Sequence, residues 1–509
     1  MQLHQKFIET AKGFNKKISV YDIATSKEVT YEKMLIVSLI FAKKFKKIKS
    51  KYVGIMVPTS AGCMLSNLGI LMAGKIPVMI NYATGAIENA IYAQEKCSFN
   101  TIITSQKLLQ KLKIEPIDGM IFLEDIAKSL SLLDKLPALL RSKFSLKSIL
   151  KSVHQGSEEE TAVILFTSGS EKEPKAVQLS HKNIFHNVKN IPCVVDLCSE
   201  DIFLANLPLF HVFGITANYW IPITLGCSIV AYPNPLEFKI ICGLVKKYKI
   251  TLMAGTPAFY HGYLKKSKPG DFESMQFALS GADTLSPHIY EGFLEKHNLK
   301  IYDAYGTTET SPAISINTPK FHKVGSVGKP IPGVQVKILN LETDDELPAN
   351  TVGKIFVKGD MVTEGYLGDL EETSLRMRKG WYDTGDMGLI DEDGFLWHKG
   401  RLKRFVKVGG EMVSLVKVEQ VLDKYLPEGV ICCVVDVPNP TKGADVVAAV
   451  TTGEINKRKI LKQMAEELPA IAIPKEFYII EDIPIMGTGK VNFRAVETIC
   501  REIQKKKLE

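Results

Sequence analysis

The stretch LFTSGSEKEPKAVQLSH, residues 165–181, sets Thr167, Ser168, Gly169 and Ser170 directly after the apolar run AVILF, with Lys175 close behind. Hydroxyls and backbone N–H groups at the end of a buried strand can surround phosphate oxygens, and a lysine supplies the balancing charge. The chemistry this suits is the handling of a nucleotide polyphosphate. One feature stands against it: where a pliant glycine would be expected the chain carries Glu171, whose carboxylate would repel phosphate, and Lys172, whose charge would offset it. The phosphate loop GxxxxGK[ST] is excluded, because Pro174, Lys175 and Ala176 fall where that spacing needs Gly, Lys and a hydroxyl residue. Alone, the stretch reads equally well as a polar strand-to-helix loop.

Such a loop needs a scaffold, and the rest of the chain predicts one. YVGIMVP, KIPVMINY, FNTIITS, GMIFLED, TAVILFTS, CSIVAYP, ITLMAGTP and SMQFALSG are short apolar runs rich in β-branched residues, each followed by a helical pattern. That alternation predicts an α/β fold with parallel sheets and crossover helices. After about residue 325 the texture changes to glycine-punctuated short strands, GVQVKIL, GKIFVKG and GLIDEDGFLWHKG, and a final α+β segment follows Lys399. The expected division is a large N-terminal domain, 1–402, of α/β subdomains plus a β-rich one, and a small mobile domain, 403–509, joined near GRLKRF.

At 509 residues, two or more domains are expected, and 45% hydrophobic with 24% charged residues is the composition of a globular protein. The N-terminus lacks a basic-then-apolar secretory layout, and no run reaches the length a membrane-spanning helix needs. A cytoplasmic protein is expected. The nine cysteines include no CxxC pair and are expected to be reduced, buried small hydrophobes. A net charge of +8 on this length is no nucleic-acid footprint, but it leaves room for an acidic protein or an anionic lipid surface. From Leu130 to Leu150, LSLLDKLPALLRSKFSLKSIL carries Lys135, Arg141, Lys143 and Lys147 against one acid, Asp134. This reads either as a basic amphipathic helix on the inner face of an anionic membrane or as a surface helix packing its leucines on its own domain.

TSGSEKEPK (167–175), YGTTE (305–309), YDTGD (382–386), GRLKRFVKVGGE (400–411) and GTGK (487–490) stand in the order and spacing of the adenylate-forming enzymes, the superfamily of acyl-CoA synthetases, luciferases and peptide-synthetase adenylation domains. GRLKRFVKVGGEMVSL, LPLFHVFG and AISIN look especially like the synthetase half of bacterial acyl-acyl carrier protein synthetases; no histidine here has the HxxxxD spacing of the acyltransferase often fused to them. The resemblance implies a free-standing synthetase using ATP and Mg²⁺. It would join a fatty acid to AMP with loss of pyrophosphate, then pass the acyl group to the thiol of acyl carrier protein or, alternatively, coenzyme A.

On matched positions the resemblance implies that Glu309 is the Mg²⁺ ligand and that Thr308 donates to a phosphate oxygen. Thr167, Ser168, Gly169, Ser170 and Lys175 would hold the phosphates. Gly281, Asp303, Ala304, Tyr305 and Gly306 would belong to the nucleotide site, with Asp303 to Tyr305 lining the adenine. Asp386 would accept the ribose hydroxyls and Arg401 would contact ribose or phosphate. Lys490 would stabilise developing charge at the carboxylate and α-phosphate, and His211 would gate the acyl site, whose walls are expected in MAGTPAFY and SGAD. Lys403 would be the hinge. Family loops read TSGSTGxPKG, so Glu171, Lys172 and Ala176 are departures; an active enzyme is expected, with Glu171 turned to solvent or paired locally. The other class of reading is a weakened homologue that binds carrier protein or membrane. Finally, Lys399, Arg401, Lys403, Arg404 and Lys407 crowd into KGRLKRFVK without an acid, and are expected to form a basic rim where an acidic carrier docks.

Overall fold

A computed structural model describes residues 1–167, 174–409, 411–427, 429–439, 442–452, 454–484 and 491–508. The chain divides into two compact units. Met1–Thr167, Glu173–Gln335 and Val357–Tyr382 make up the first, and Val336–Phe356 with Asp383–Glu509 the body of the second.

The first unit holds two sheets. One runs Met120–Phe122, Ile102–Thr104, Tyr52–Met56, Ile76–Met79, Thr161–Phe166, Ala176–Ser180. Its strands are parallel except for the last, which folds back antiparallel on Thr161–Phe166. The other has nine strands, in the order Lys329–Pro330, Ala313–Ile316, Ile301–Gly306, Phe277–Ser280, Leu252–Gly255, Ile202–Ala205, Ser228–Ala231, Ile18–Asp22, Lys27–Thr30. It is parallel from Ile301–Gly306 to Ile18–Asp22 and antiparallel at both edges. Central strands such as Ile76–Met79, Leu252–Gly255 and Phe277–Ser280 are buried along their whole length, as strands covered by helices on both faces must be. All eight apolar runs singled out in the sequence are strands. The expectation of a helix after each fails at Thr161–Phe166, where the strand Ala176–Ser180 returns antiparallel instead.

A further sheet orders Gln335–Leu339, Gly353–Lys358, Trp381–Ile390 and Met377–Arg378, with Leu396–Arg401 also paired to Trp381–Ile390. The second unit continues with the ribbon Phe405–Val408/Glu411–Ser414 and the sheet Cys432–Asn439, Gly443–Val450, Glu476–Ile479. Helices Leu415–Asp423, Lys457–Met464 and Phe493–Leu508 accompany them. The grouping by compactness assigns 383–402 to the second unit, whereas the division expected after residue 402 concerns motion. Seven cysteines are buried as expected, but Cys193 and Cys198 are exposed. Among the described residues no helix is long and apolar enough to cross a membrane.

Candidate active site

Thr167 and Glu309, two of the candidate site residues of the first unit, lie just beyond the carboxyl ends of the strands Thr161–Phe166 and Ile301–Gly306, where open α/β sheets bind ligands. The hairpin neck is pinned by its own first and last residues: Thr167 N–H donates to the Lys175 carbonyl at 3.0 Å, and Lys175 N–H donates to Thr167 Oγ1 at 3.1 Å. Tyr92 OH donates to the Pro174 carbonyl at 2.8 Å. Ser168, Gly169, Ser170, Glu171 and Lys172 lie outside the described residues. The Lys175 ammonium pairs with Glu372, which also receives Arg376 Nε at 3.0 Å. Burial works against the charge on Glu372, yet the hydrogen bonds from Lys175 and Arg376 hold its carboxyl below the ordinary range. Lys175 Nζ also lies 5.2 Å from the centre of the Tyr366 ring.

Tyr366 joins two predicted sites. Its hydroxyl donates to Glu309 Oε1 at 2.8 Å. Glu309 sits in the tight turn Thr308–Thr310 that ends strand Ile301–Gly306, and it is buried at 8% exposure. The turn is fixed by Thr307 N–H donating to Thr310 Oγ1 at 3.0 Å and Thr363 N–H donating to the Glu309 carbonyl at 2.8 Å. Burial and the Glu309 charge push the Tyr366 phenol well above its usual value, so it acts as a neutral donor. One polar chain therefore runs Glu309, Tyr366, Lys175, Glu372, Arg376. Tyr366, Glu372 and Arg376 were not anticipated from sequence; the i,i+4 acid–base spacing of Glu372 and Arg376 was the one available signal, and it points to a helix face rather than to Lys175.

Gly281 and Ala304 lie close together. Their strands are parallel neighbours with Ser280 opposite Asp303, and a Cβ on Gly281 would lie 3.3 Å from the Phe213 ring and 3.7 Å from the Ala304 carbonyl. Gly306 admits no other residue, since a Cβ there would lie 1.8 Å from the Pro312 carbonyl oxygen. Tyr305 is buried. His211 is half-buried, its ring 4.6 Å from that of Phe210, which packs edge-on against Tyr82 at 5.0 Å. LPLFHVFG thus reaches Gly281 through Phe213. Of the expected acyl walls, Tyr260 is core: it is fully buried and its hydroxyl contacts the carbonyls of Met253 and Leu279, each at 3.1 Å.

Burial pushes the Asp303 carboxyl up to about 7, against a smaller opposite pull from the Ser280 hydroxyl. The native state therefore keeps a proton that the unfolded chain releases near pH 4, so this group costs stability as pH rises from about 4 to 7. Asp303→Asn is expected to stabilise the protein by about 1–3 kcal/mol at pH 8 and by almost nothing at pH 4. Thermal unfolding at the two pH values checks this; an equal shift at both would exclude ionisation of Asp303 as the cause.

In the second unit, the hairpin of Trp381–Ile390 and Leu396–Arg401 sets Asp386 directly opposite Arg401. Arg401 Nε forms an ion pair with Asp386 Oδ1 at 2.9 Å, and His398 Nε2 stands 3.7 Å from the same oxygen. Asp386 N–H donates to Thr384 Oγ1 at 3.1 Å, and that hydroxyl donates to the Ile355 carbonyl at 2.9 Å. The carboxylate is 1% exposed, while the Arg401 side chain is mostly in solvent. The two ribose candidates are thus one preassembled pair. Lys490 lies outside the described residues.

The basic rim needs correction. Arg404 is buried, with Nη2 2.7 Å from Glu419 Oε2 and its guanidinium 5.1 Å from the Phe493 ring. Glu419 also accepts from Val434 N–H at 2.8 Å, so Arg404 ties the turn Leu402–Arg404 to a helix and a strand. Burial lowers the Lys399 ammonium, with a smaller contribution from Lys417. Lys403 and Lys407 are the exposed cations left in the run beside the paired Arg401.

The AMP-binding enzyme family matches residues 7–367, and the AMP-binding enzyme C-terminal domain matches 417–490. An oxalate–CoA ligase of Arabidopsis thaliana is 30% identical over 81% of this chain and 83% of its own. A long-chain-fatty-acid–CoA ligase of Bacillus subtilis is 29% identical over 87% of this chain and 84% of its own. ATP-bound MatB from Rhodopseudomonas palustris shares the fold, with a TM-score of 0.85 at 22% identity over all of both chains. The chain belongs to the AMP-binding enzymes of the adenylate-forming superfamily.

Proposed function

We propose that this ligase activates a fatty acid with ATP and transfers the acyl group from AMP to the phosphopantetheine thiol of acyl carrier protein. Enzymes of this family use ATP with Mg²⁺. Adenylate-forming ligation carrying a fatty acid to a thioester is common ground with the relatives. The observation that carries the reading is the chain Glu309–Tyr366–Lys175, which joins a buried carboxylate to a lysine at the neck of the phosphate-loop candidate.

Mg²⁺ favours oxygen ligands, often one or two carboxylates plus substrate phosphates, and Glu309 presents such a carboxylate with one oxygen fixed by Tyr366. The ion, when bound, offsets phosphate charge. Lys175 would leave Glu372 for a phosphate, while Arg376 keeps Glu372 paired. Thr167, Ser168, Ser170 and Thr308 would donate to phosphate oxygens. Asp386, held by Arg401, would accept from the ribose, and His211 would border the acyl carboxylate. Residues 403–509 would move between half-reactions about Lys403. Lys403→Pro is expected to impair one half-reaction more than the other; equal loss of both argues against the hinge.

The carrier as acceptor is supported by the resemblance of GRLKRFVKVGGEMVSL to carrier-protein synthetases. With Arg404 buried, the docking test falls on Lys407. Lys407→Glu is expected to raise KM for acyl carrier protein about two- to fivefold through slower association, while adenylation holds. An unchanged KM removes the rim from the account. Coenzyme A is the second reading, favoured by the relatives, which are CoA ligases. Pyrophosphate release across a panel of fatty acids tests activation itself; none with any acid would leave the weakened-homologue reading.

A further inference from the structure

The basic segment 130–150 is two helices, Leu132–Ser142 and Leu146–Lys151, and the first is turned opposite to a core-packing helix. Its small residues, Ala138 and Ser142, are buried. Its leucines face out: Leu132 and Leu133 are 81% and 82% exposed, and Leu136, Leu140 and Phe144 are all more than half exposed. Steps of four residues put Leu132, Leu136 and Leu140 on one face, with Leu133 beside them. The second helix anchors the segment through buried Ile149. The reading in which the leucines pack on their own domain holds for Leu130, Leu146 and Leu150 and fails for the leucines of the first helix.

The orientation is held in place. Lys143 pairs with Glu32, and Lys12 Nζ donates to the carbonyls of Ser142 and Phe144, each at 3.1 Å. Asp134, the only acid in the segment, accepts from Ser131 Oγ at 2.9 Å and stands 3.8 Å from Lys43. Lys44 donates to Ser129 Oγ at 3.1 Å. The leucine face is therefore bordered by exposed Lys135, Arg141 and Lys147, with Lys43 and Lys44 beside the helix, and its single carboxylate is already engaged.

We propose that this leucine face is a docking surface for an anionic lipid bilayer. An apolar helix face flanked by unbalanced cations suits the bilayer interface: acyl chains take the leucines and anionic headgroups answer the charge. An acidic protein would answer the charge but leave leucines against a polar surface. The proposal stands apart from the catalytic reading, and its test uses neither ATP nor acid.

The full-length protein is sedimented with vesicles of phosphatidylcholine, with and without phosphatidylglycerol. Binding is expected to the anionic vesicles, at least tenfold weaker to phosphatidylcholine alone, and falling with added salt. Leu133→Ser/Leu136→Ser/Leu140→Ser is expected to cut the partition at least tenfold with an unchanged thermal midpoint, and Lys135→Gln/Arg141→Gln/Lys147→Gln severalfold. Three results would overturn the proposal. One is no binding to anionic vesicles, and another is leucine variants that bind as the parent does. The third is a parent dimer that the leucine changes convert to monomer, which would make a second copy the occupant.

Discussion

Glu309→Gln is expected to lower kcat/KM for pyrophosphate release by about 10²–10³-fold and to raise the Mg²⁺ concentration needed for half-maximal rate. Glutamine keeps the shape and still offers an oxygen to the Tyr366 hydroxyl, so the turn Thr308–Thr310 and its bond from Thr363 should survive. What disappears is the negative charge at a buried point. Tyr366→Phe is the companion variant: it preserves the charge and removes the hydroxyl that orients it, so its smaller loss should leave the Mg²⁺ requirement nearly unmoved. A Glu309→Gln enzyme with an unaltered Mg²⁺ dependence would remove Glu309 from the metal site, whatever its activity.

The second large effect belongs to Lys490→Ala, which is expected to reduce acyl-adenylate formation by about 10³-fold or more while leaving thiolysis of supplied acyl-adenylate largely intact. The reason is electrostatic: attack of a carboxylate on the α-phosphorus concentrates negative charge at the five-coordinate phosphorus, which collapses as the bond to the β-phosphate breaks and pyrophosphate leaves, so a cation there serves the first half-reaction above all. The assignment rests on GTGK at 487–490 and on family membership. Single-turnover assays of the two half-reactions separate the effects. Undiminished adenylation, or equal loss of both halves, would remove Lys490 from this role.

What could be read from the sequence followed from local chemistry. The eight apolar runs declared themselves because strands of a parallel sheet are buried on both faces and need not alternate. Glu309 with Thr308, and Asp386 with Arg401, were named from short motifs, and the structure places each pair on one turn or one hairpin. The errors came from contacts distant in sequence. Lys175 gave no sign of Glu372, nor Tyr366 of Glu309. Arg404 looked like one cation in a solvated row, but Glu419 folds over it, and a buried guanidinium with a carboxylate partner is structural rather than a docking charge. In the 130–150 segment the leucines were weighed by hydrophobicity, whereas close approach to the helix Tyr31–Phe45 selects the small side chains Ala138 and Ser142 for the inner face.

The most direct measurement is mass spectrometry of the protein incubated with a panel of fatty acids, ATP and Mg²⁺ but no thiol, followed by equal concentrations of acyl carrier protein or coenzyme A. Acyl-AMP and pyrophosphate are expected in the first stage and, in the second, a thioester formed faster on the carrier than on coenzyme A. Faster transfer to coenzyme A would reassign the acceptor, and the absence of acyl-AMP with every acid would contradict the account at its centre.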